Sequence, residues 1–142
     1  MTTLTDLGPA ERLAVLQTPA RYAHALDQHD LAALADVLTE DATWTFTIAG
    51  APGPGPVSGR AAILDFVRDA TAAQAGVRRH HLTTVVAGRA DVGTATVYAS
   101  LMLTSAAGGR VNVITTGRYT FTLRRAGGQW RIAELLLAMD DA

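Results

Sequence analysis

The sequence contains no cysteine and no lysine, and its only asparagine is Asn112. Without cysteine there can be no disulfide, no thiol nucleophile and no thiolate metal site. All 12 basic residues other than histidine are arginine, which excludes a side-chain Schiff base, a lysine general base and a lysine-type phosphate loop. No apolar run approaches the roughly 18 residues of a membrane span, so no membrane partner is expected. Residues 1–8 lack the charged and apolar regions of a secretory signal, and the expected location is cytoplasmic. A net charge of -1 with scattered arginines leaves no basic stripe for phosphate backbones, so nucleic acid is not an expected partner.

What is present is the composition of one folded unit. With 142 residues, 49% hydrophobic and 18% charged, the chain reads as a single domain over residues 1–142 with one core. Pro9 opens a helix to about Gln28, in which Leu13, Leu16, Ala20, Ala23 and Leu26 recur at three- and four-residue spacing; Pro19 predicts a break within it. Asp30 is placed to cap a second short helix with Leu31, Leu34 and Leu38 facing inward. Trp44, Phe46 and Ile48 alternate with threonines as a half-buried strand does. Residues 49–59 are turn chemistry. Ser58 then reads as the cap of a third helix with Ile63, Leu64, Phe66 and Val67 on one stripe. From His81 onward, four runs rich in β-branched residues are separated by Gly88, Gly108-Gly109 and Gly127-Gly128, the pattern of an antiparallel meander. The expected fold is α+β: three N-terminal helices packed on a curved antiparallel sheet, a cone-shaped barrel enclosing one pocket.

Several residues carry candidate chemistry. Asp27 lies near a helix C-terminus, where the macrodipole opposes negative charge, so its placement favours a role beyond structure. His80 and His81 are adjacent on a strand and must point to opposite faces, one in and one out. The same geometry disfavours a metal, and none is expected. Gly53-Pro-Gly-Pro-Val-Ser-Gly59 has the wrong spacing for a dinucleotide loop, and Pro54 and Pro56 remove backbone donors. Alternation puts Tyr98, Ser100, Met102 and Thr104 on one strand face, and a face mixing hydroxyls with a thioether suits a ligand cavity. Trp44, Phe46, Phe66 and Tyr119 are further candidates to line it.

Three stretches carry a family likeness: Tyr22-Ala-His-Ala-Leu-Asp27-Gln-His-Asp30-Leu followed by Leu38-Thr-Glu-Asp41-Ala-Thr-Trp44; Arg78-Arg-His80-His81-Leu; and Gly117-Arg-Tyr119 with Gly128-Gln-Trp130-Arg-Ile. This order resembles the SnoaL-like branch of the nuclear transport factor 2-like superfamily, which includes polyketide cyclases, scytalone dehydratase, bile-acid dehydratases and relatives of ketosteroid isomerase. The resemblance implies that an aspartate at the end of helix one and a histidine opening the second long strand meet in the pocket, at Asp27 and His81. It also implies that Tyr22 polarises a substrate carbonyl, although five helical residues separate Tyr22 from Asp27 by about 140°. The sequence departs from scytalone dehydratase, with a residue near Thr104 where a second pocket histidine stands and Phe46 in place of a pocket tyrosine.

The expected activity is therefore that of a cofactor-independent lyase or isomerase, a dehydratase or cyclase. It would act by acid–base catalysis on a hydrophobic, carbonyl-bearing ring such as a polyketide or steroid-like intermediate. His81 would be base and then acid, Asp27 would orient it, and Tyr22 or Tyr98 would donate to the enolate oxygen. The alternatives are a non-catalytic ligand-binding protein or assembly subunit of the same fold, and an epoxide hydrolase or epoxide-opening cyclase. A homodimer is implied by family habit.

Overall fold

The computed structural model describes residues 3–141. Helix α1 (Pro9–Asp27) and helix α2 (Leu31–Asp36) lead into strand β1 (Leu38–Ile48). Two short strands, β2 (Ala51–Pro52) and β3 (Val57–Ser58), fold back on β1 within the turn-rich segment. Helix α3 (Arg60–Ala72) follows, and then the long strands β4 (Val77–Asp91), β5 (Thr94–Ala107), β6 (Arg110–Ala126) and β7 (Gln129–Met139). They form one open sheet in the order β2-β1-β7-β6-β5-β4, with β3 paired to β1. β4 to β7 pair antiparallel as a meander, but β1 lies parallel to β7, which makes the sheet mixed rather than purely antiparallel. The whole meander separates these two strands in sequence, so no tight hairpin forces them antiparallel.

Pro19 does not break α1: the helix runs through it, and the proline is buried. The Thr18 hydroxyl bonds back to Ala14 O at 3.0 Å. The helix buries Val15, Thr18, Tyr22, Ala23 and Ala25, while Leu13 is 62% exposed. Alanines on every side of the helix blur its apolar stripe, and the phase read from Leu13 is the wrong one. Asp30 caps α2 as its spacing requires, its Oδ1 accepting from Ala33 N at 3.0 Å. The third helix is capped differently from expectation: Gly59, φ 96°, is the N-cap, and no side chain completes the bond.

Between helices and sheet lies an aromatic core. Tyr22 meets Trp44, Tyr119 and Phe121 edge-on at centroid distances of 5.6–6.0 Å, and Trp44 stacks on Phe46 at 4.8 Å. Phe66 of α3 closes over Trp44 and Phe46 at 5.8 and 5.5 Å. The space expected as an enclosed pocket is thus occupied by the rings expected to line it.

A bulge in β4 decides which residues face this core. Thr83 pairs with Ser100 and Val86 with Tyr98, so Thr84 and Val85 oppose Ala99 alone, and Thr84 takes φ 51°. Before the bulge, His80 and Leu82 lie opposite Leu103 and Leu101 on the core side, and Arg79, His81 and Thr83 point outward. Beyond it the parity reverses, and Ala87 is on the core side opposite Val97. β6 and β7 crowd together at Gly117, where an added Cβ would sit 2.5 Å from Ala138 O and 3.0 Å from Met139 Cα. Both neighbours are backbone and cannot step aside. Gly117→Ala is expected to cost about 2 kcal/mol or more, read as a lower midpoint in urea unfolding with an unchanged slope.

Candidate functional site

Asp27 is the last residue of α1, and its carboxylate bridges to the strand that crosses beneath it. Asp27 Oδ1 accepts from the backbone N–H of His80 at 2.9 Å and from His80 Nδ1 at 2.8 Å. Two donors on one oxygen offset the unfavourable end of the helix dipole. Both side chains are mostly buried, 13% and 18% exposed. An ionised carboxylate only accepts, so Nδ1 carries the ring proton, and the neutral imidazole keeps a lone pair on Nε2. The pair opens into a cavity of about 270 Å³ whose remaining walls are Ala20, Ala23, His24 and Leu82. Ala20, Ala23, His24 and Asp27 share one helical face, and the two alanines leave the hollow between α1 and β4.

The partner of Asp27 is therefore His80 and not His81. His81 points to the outer side of the sheet, where its Nε2 lies 3.0 Å from Thr104 Oγ1. The alternation around it carried this information. Leu82 is the apolar residue of the pair's neighbourhood, two residues from His80 and one from His81, so a period of two puts His80 inward. The resemblance alone could not separate adjacent histidines.

Tyr22 and Tyr119 meet in the core with their hydroxyls 3.0 Å apart. Burial, first of all, lifts both phenols above their usual range; the neighbouring Tyr119 adds to this at Tyr22. At Tyr119 the bond from Tyr22 opposes the rise, and the negative charge of Asp27 adds to it. Both stay protonated, and because one proton serves their mutual bond, the pair retains one O–H for a further acceptor. Tyr22 does not line the Asp27–His80 cavity, in keeping with its different direction on an unbroken helix. Trp44 Nε1 is buried with no hydrogen-bond partner among the described residues, a cost of about 1–3 kcal/mol unless an oxygen reaches it.

The remaining expected lining residues divide between two faces. Trp44, Phe46, Phe66 and Tyr119 belong to the aromatic core. Tyr98, Ser100 and Met102 stand on the outer face instead, Tyr98 and Ser100 beside a surface hollow of about 680 Å³ with Arg118, Thr120 and Leu136. The alternation within β5 holds, but nothing in it says which face is inside. Tyr98 is thereby removed as a donor to anything bound near Asp27. Among the described residues no group of three or more His, Cys, Asp or Glu could hold a metal ion. No helix among the described residues is long and apolar enough to cross a membrane.

Three helices on a curved, open sheet, with an acid at the end of the first helix, define a nuclear transport factor 2-like α+β protein. Within that class the chain belongs to the SnoaL-like domain family, whose profile matches residues 10–135. It is similar to a protein of Novosphingobium aromaticivorans assigned provisionally as an aromatic ring hydroxylase, with 30% identity, coverage of 94% of this chain and 91% of that one, and a TM-score of 0.78. Aln2 from a Streptomyces species is 25% identical over 96% of this chain and 95% of its own, with a TM-score of 0.82. An NTF2-like protein with a cystatin-like fold, also from N. aromaticivorans, shares the fold at a TM-score of 0.82 with 23% identity, covering 94% of this chain and 84% of that one. No functionally curated protein matches the sequence.

Removing the carboxylate charge should loosen both the helix end and the ring. Asp27→Ala is expected to destabilise the fold by about 2 kcal/mol, as loss of hydrogen bonds to a charged group does. In nitrogen-15 NMR of the histidine side chains, Asp27→Ala should also move His80 away from a single Nδ1–H tautomer. His81 should hold its shifts. An unchanged His80 spectrum would show that Asp27 does not set the ring.

Proposed function

We propose that the chain is a cofactor-independent lyase or isomerase that removes a proton next to a carbonyl in a hydrophobic ring substrate. The observation that carries this reading is the Asp27–His80 pair. One carboxylate oxygen fixes both the backbone and the ring of the same histidine, leaving Nε2 as a basic lone pair at a cavity. His80 takes the proton, and Asp27 holds the tautomer and favours the imidazolium that forms. The returning proton goes to a departing hydroxyl, to another carbon or to a closing ring, which are the outcomes of dehydration, isomerisation and cyclisation.

The buried phenol pair supports the same chemistry. Tyr22 and Tyr119 are neutral donors with one unused O–H, and Trp44 offers a second unpaired donor in the same aromatic core. A developing enolate oxygen needs such preorganised donors in surroundings free of water. The apolar walls of the cavity, Ala20, Ala23 and Leu82, suit a hydrophobic ring. A second reading, a non-catalytic assembly subunit, is suggested by the fold shared with the beta subunit of a provisionally assigned aromatic-ring-hydroxylating dioxygenase of N. aromaticivorans, 17% identical at a TM-score of 0.77.

The two readings separate in a deuterium-exchange assay that requires no knowledge of the natural substrate. A panel of bicyclic ketones headed by 2-tetralone is incubated with protein in D2O, and α-deuteration is followed by mass spectrometry. Wild type should exchange at least about 10²-fold faster than His80→Gln, the usual contribution of a positioned base, while His81→Gln should match wild type. Equal rates for wild type and His80→Gln across the panel would reject the acid–base reading in favour of the subunit.

A further inference from the structure

Two residues before His80, on the same strand, stands an arginine without a partner. Among the described residues Arg78 makes no ion pair and no side-chain hydrogen bond, and its Nε is buried with no acceptor. A guanidinium nitrogen removed from water and left unmatched is costly. Strand parity puts Arg78 on the core side with His80 and Leu82, and the ladder shows what stands beside it. Arg78 lies opposite Ser105, and Ser105 lies opposite Asn112. Directly opposed residues project to one face, so an arginine, a hydroxyl and an amide form one row across β4, β5 and β6. Neither Ser105 nor Asn112 makes a side-chain hydrogen bond among the described residues. The next row inward is His80, Leu103 and Thr115, and the one after it is Leu82, Leu101 and Gly117. The face thus passes from hydrogen-bond donors at its rim, through the histidine, to apolar side chains. None of these rows contains a carboxylate. Asp27, which reaches the histidine from α1, has its Oδ1 engaged by His80, and Arg110, one row outward from Asn112, adds positive charge.

We propose that the row Arg78, Ser105 and Asn112 binds a carboxylate carried by the ring substrate. The proposal deepens the acid–base reading above and rests on it for where the ring lies. A guanidinium presents two parallel N–H groups to the two oxygens of a carboxylate, a match that fixes orientation as well as charge. The Ser105 hydroxyl and the Asn112 amide, on the next two strands at about 4.8 Å spacing, donate to lone pairs that the fork leaves open. Two residues along a strand span about 7 Å, so an acid group held at this row stands roughly that far from the carbon facing His80. A fused ring with its acid on the side remote from the ketone has that reach, whereas a short keto acid with adjacent groups does not. The apolar part of the ring lies against Ala20, Ala23 and Leu82. Anchoring at a distance from the reacting carbon orients it toward the base. A neutral ring leaves Arg78 desolvated and unmatched, and is disfavoured for that reason. The substrate class narrows from any hydrophobic ketone to a ring ketone bearing a remote carboxylate.

Binding tests the anchor without any turnover. 2-Naphthoate and 2-naphthamide differ in charge but scarcely in shape, and their dissociation constants are measured by isothermal titration calorimetry. Wild type should hold the acid at least about 10-fold more tightly than the amide. Arg78→Gln should erase that preference. Arg78→Lys should keep part of it, because the charge remains and the fork is lost. Arg79→Gln, one residue on and facing outward, should keep all of it. In the deuterium-exchange assay, 2-tetralone-6-carboxylate should show a KM at least about 10-fold below that of 2-tetralone with wild type, an advantage lost in Arg78→Gln. An acid preference that Arg78→Gln removes, with no exchange of either ketone by wild type, would uphold the carboxylate site and reject the acid–base reading. No acid preference in wild type, or one that survives in Arg78→Gln, would overturn the carboxylate site whatever the ketones do.

Discussion

One oxygen of Asp27 holds together the end of the first helix and the opening of β4, and the position of everything near the cavity follows from it. A carboxylate at a helix C-terminus is disfavoured by the dipole behind it and costs more as water is removed. Here it is tolerated because two N–H groups from one residue, His80, converge on it. The same contact fixes where α1 lies across the sheet, and therefore how deep Tyr22, one turn and more back along the helix, enters the core. It also chooses the tautomer of His80. The structural clamp and the proposed acid–base pair are made from the same two bonds.

That clamp reaches the aromatic core through charge as well as through geometry. The negative charge of Asp27 is felt at the Tyr119 hydroxyl and helps to keep it protonated, and Tyr119 is bonded to Tyr22. An acid that fixes the His80 ring on one side thus favours the neutral form of the Tyr119 phenol on the other. The proposed acid–base chemistry on a carbonyl compound needs this separation, with a proton acceptor and a proton donor held in different states at one pH.

The element order, the α2 cap at Asp30 and the four long strands were legible from spacing and turn residues. The family could be named from three short stretches of sequence. What was not legible was parity. Asp27 could be picked out, since an acid against a helix dipole is a local anomaly, but its partner depended on which of two adjacent histidines faced inward. The bulge at Thr84 and Val85 reverses the facing of β4 midway, so a phase taken from one half of the strand misassigns the other. The same ambiguity moved Tyr98, Ser100 and Met102 from the inside to the outside without disturbing their mutual alternation. Leu13 fell out of the core for a related reason, because a helix rich in alanine offers little contrast to set its phase.

Parity also explains why the two faces of one sheet can serve separate purposes. On β5 and β6 the odd positions Leu101, Tyr119 and Phe121 build the core, while the even positions Tyr98, Ser100, Arg118 and Thr120 meet the outside. Substitutions on one set leave the other set's contacts in place as long as the register holds. Gly117 guards that register at the point where β6 and β7 press together, since any side chain there would strike the backbone of Ala138. An insertion of one residue in β6 would exchange the two sets, burying Arg118 and expelling Tyr119. The cost of a buried, unpaired guanidinium is what holds the phenols beneath the helix and keeps the charges on the open face.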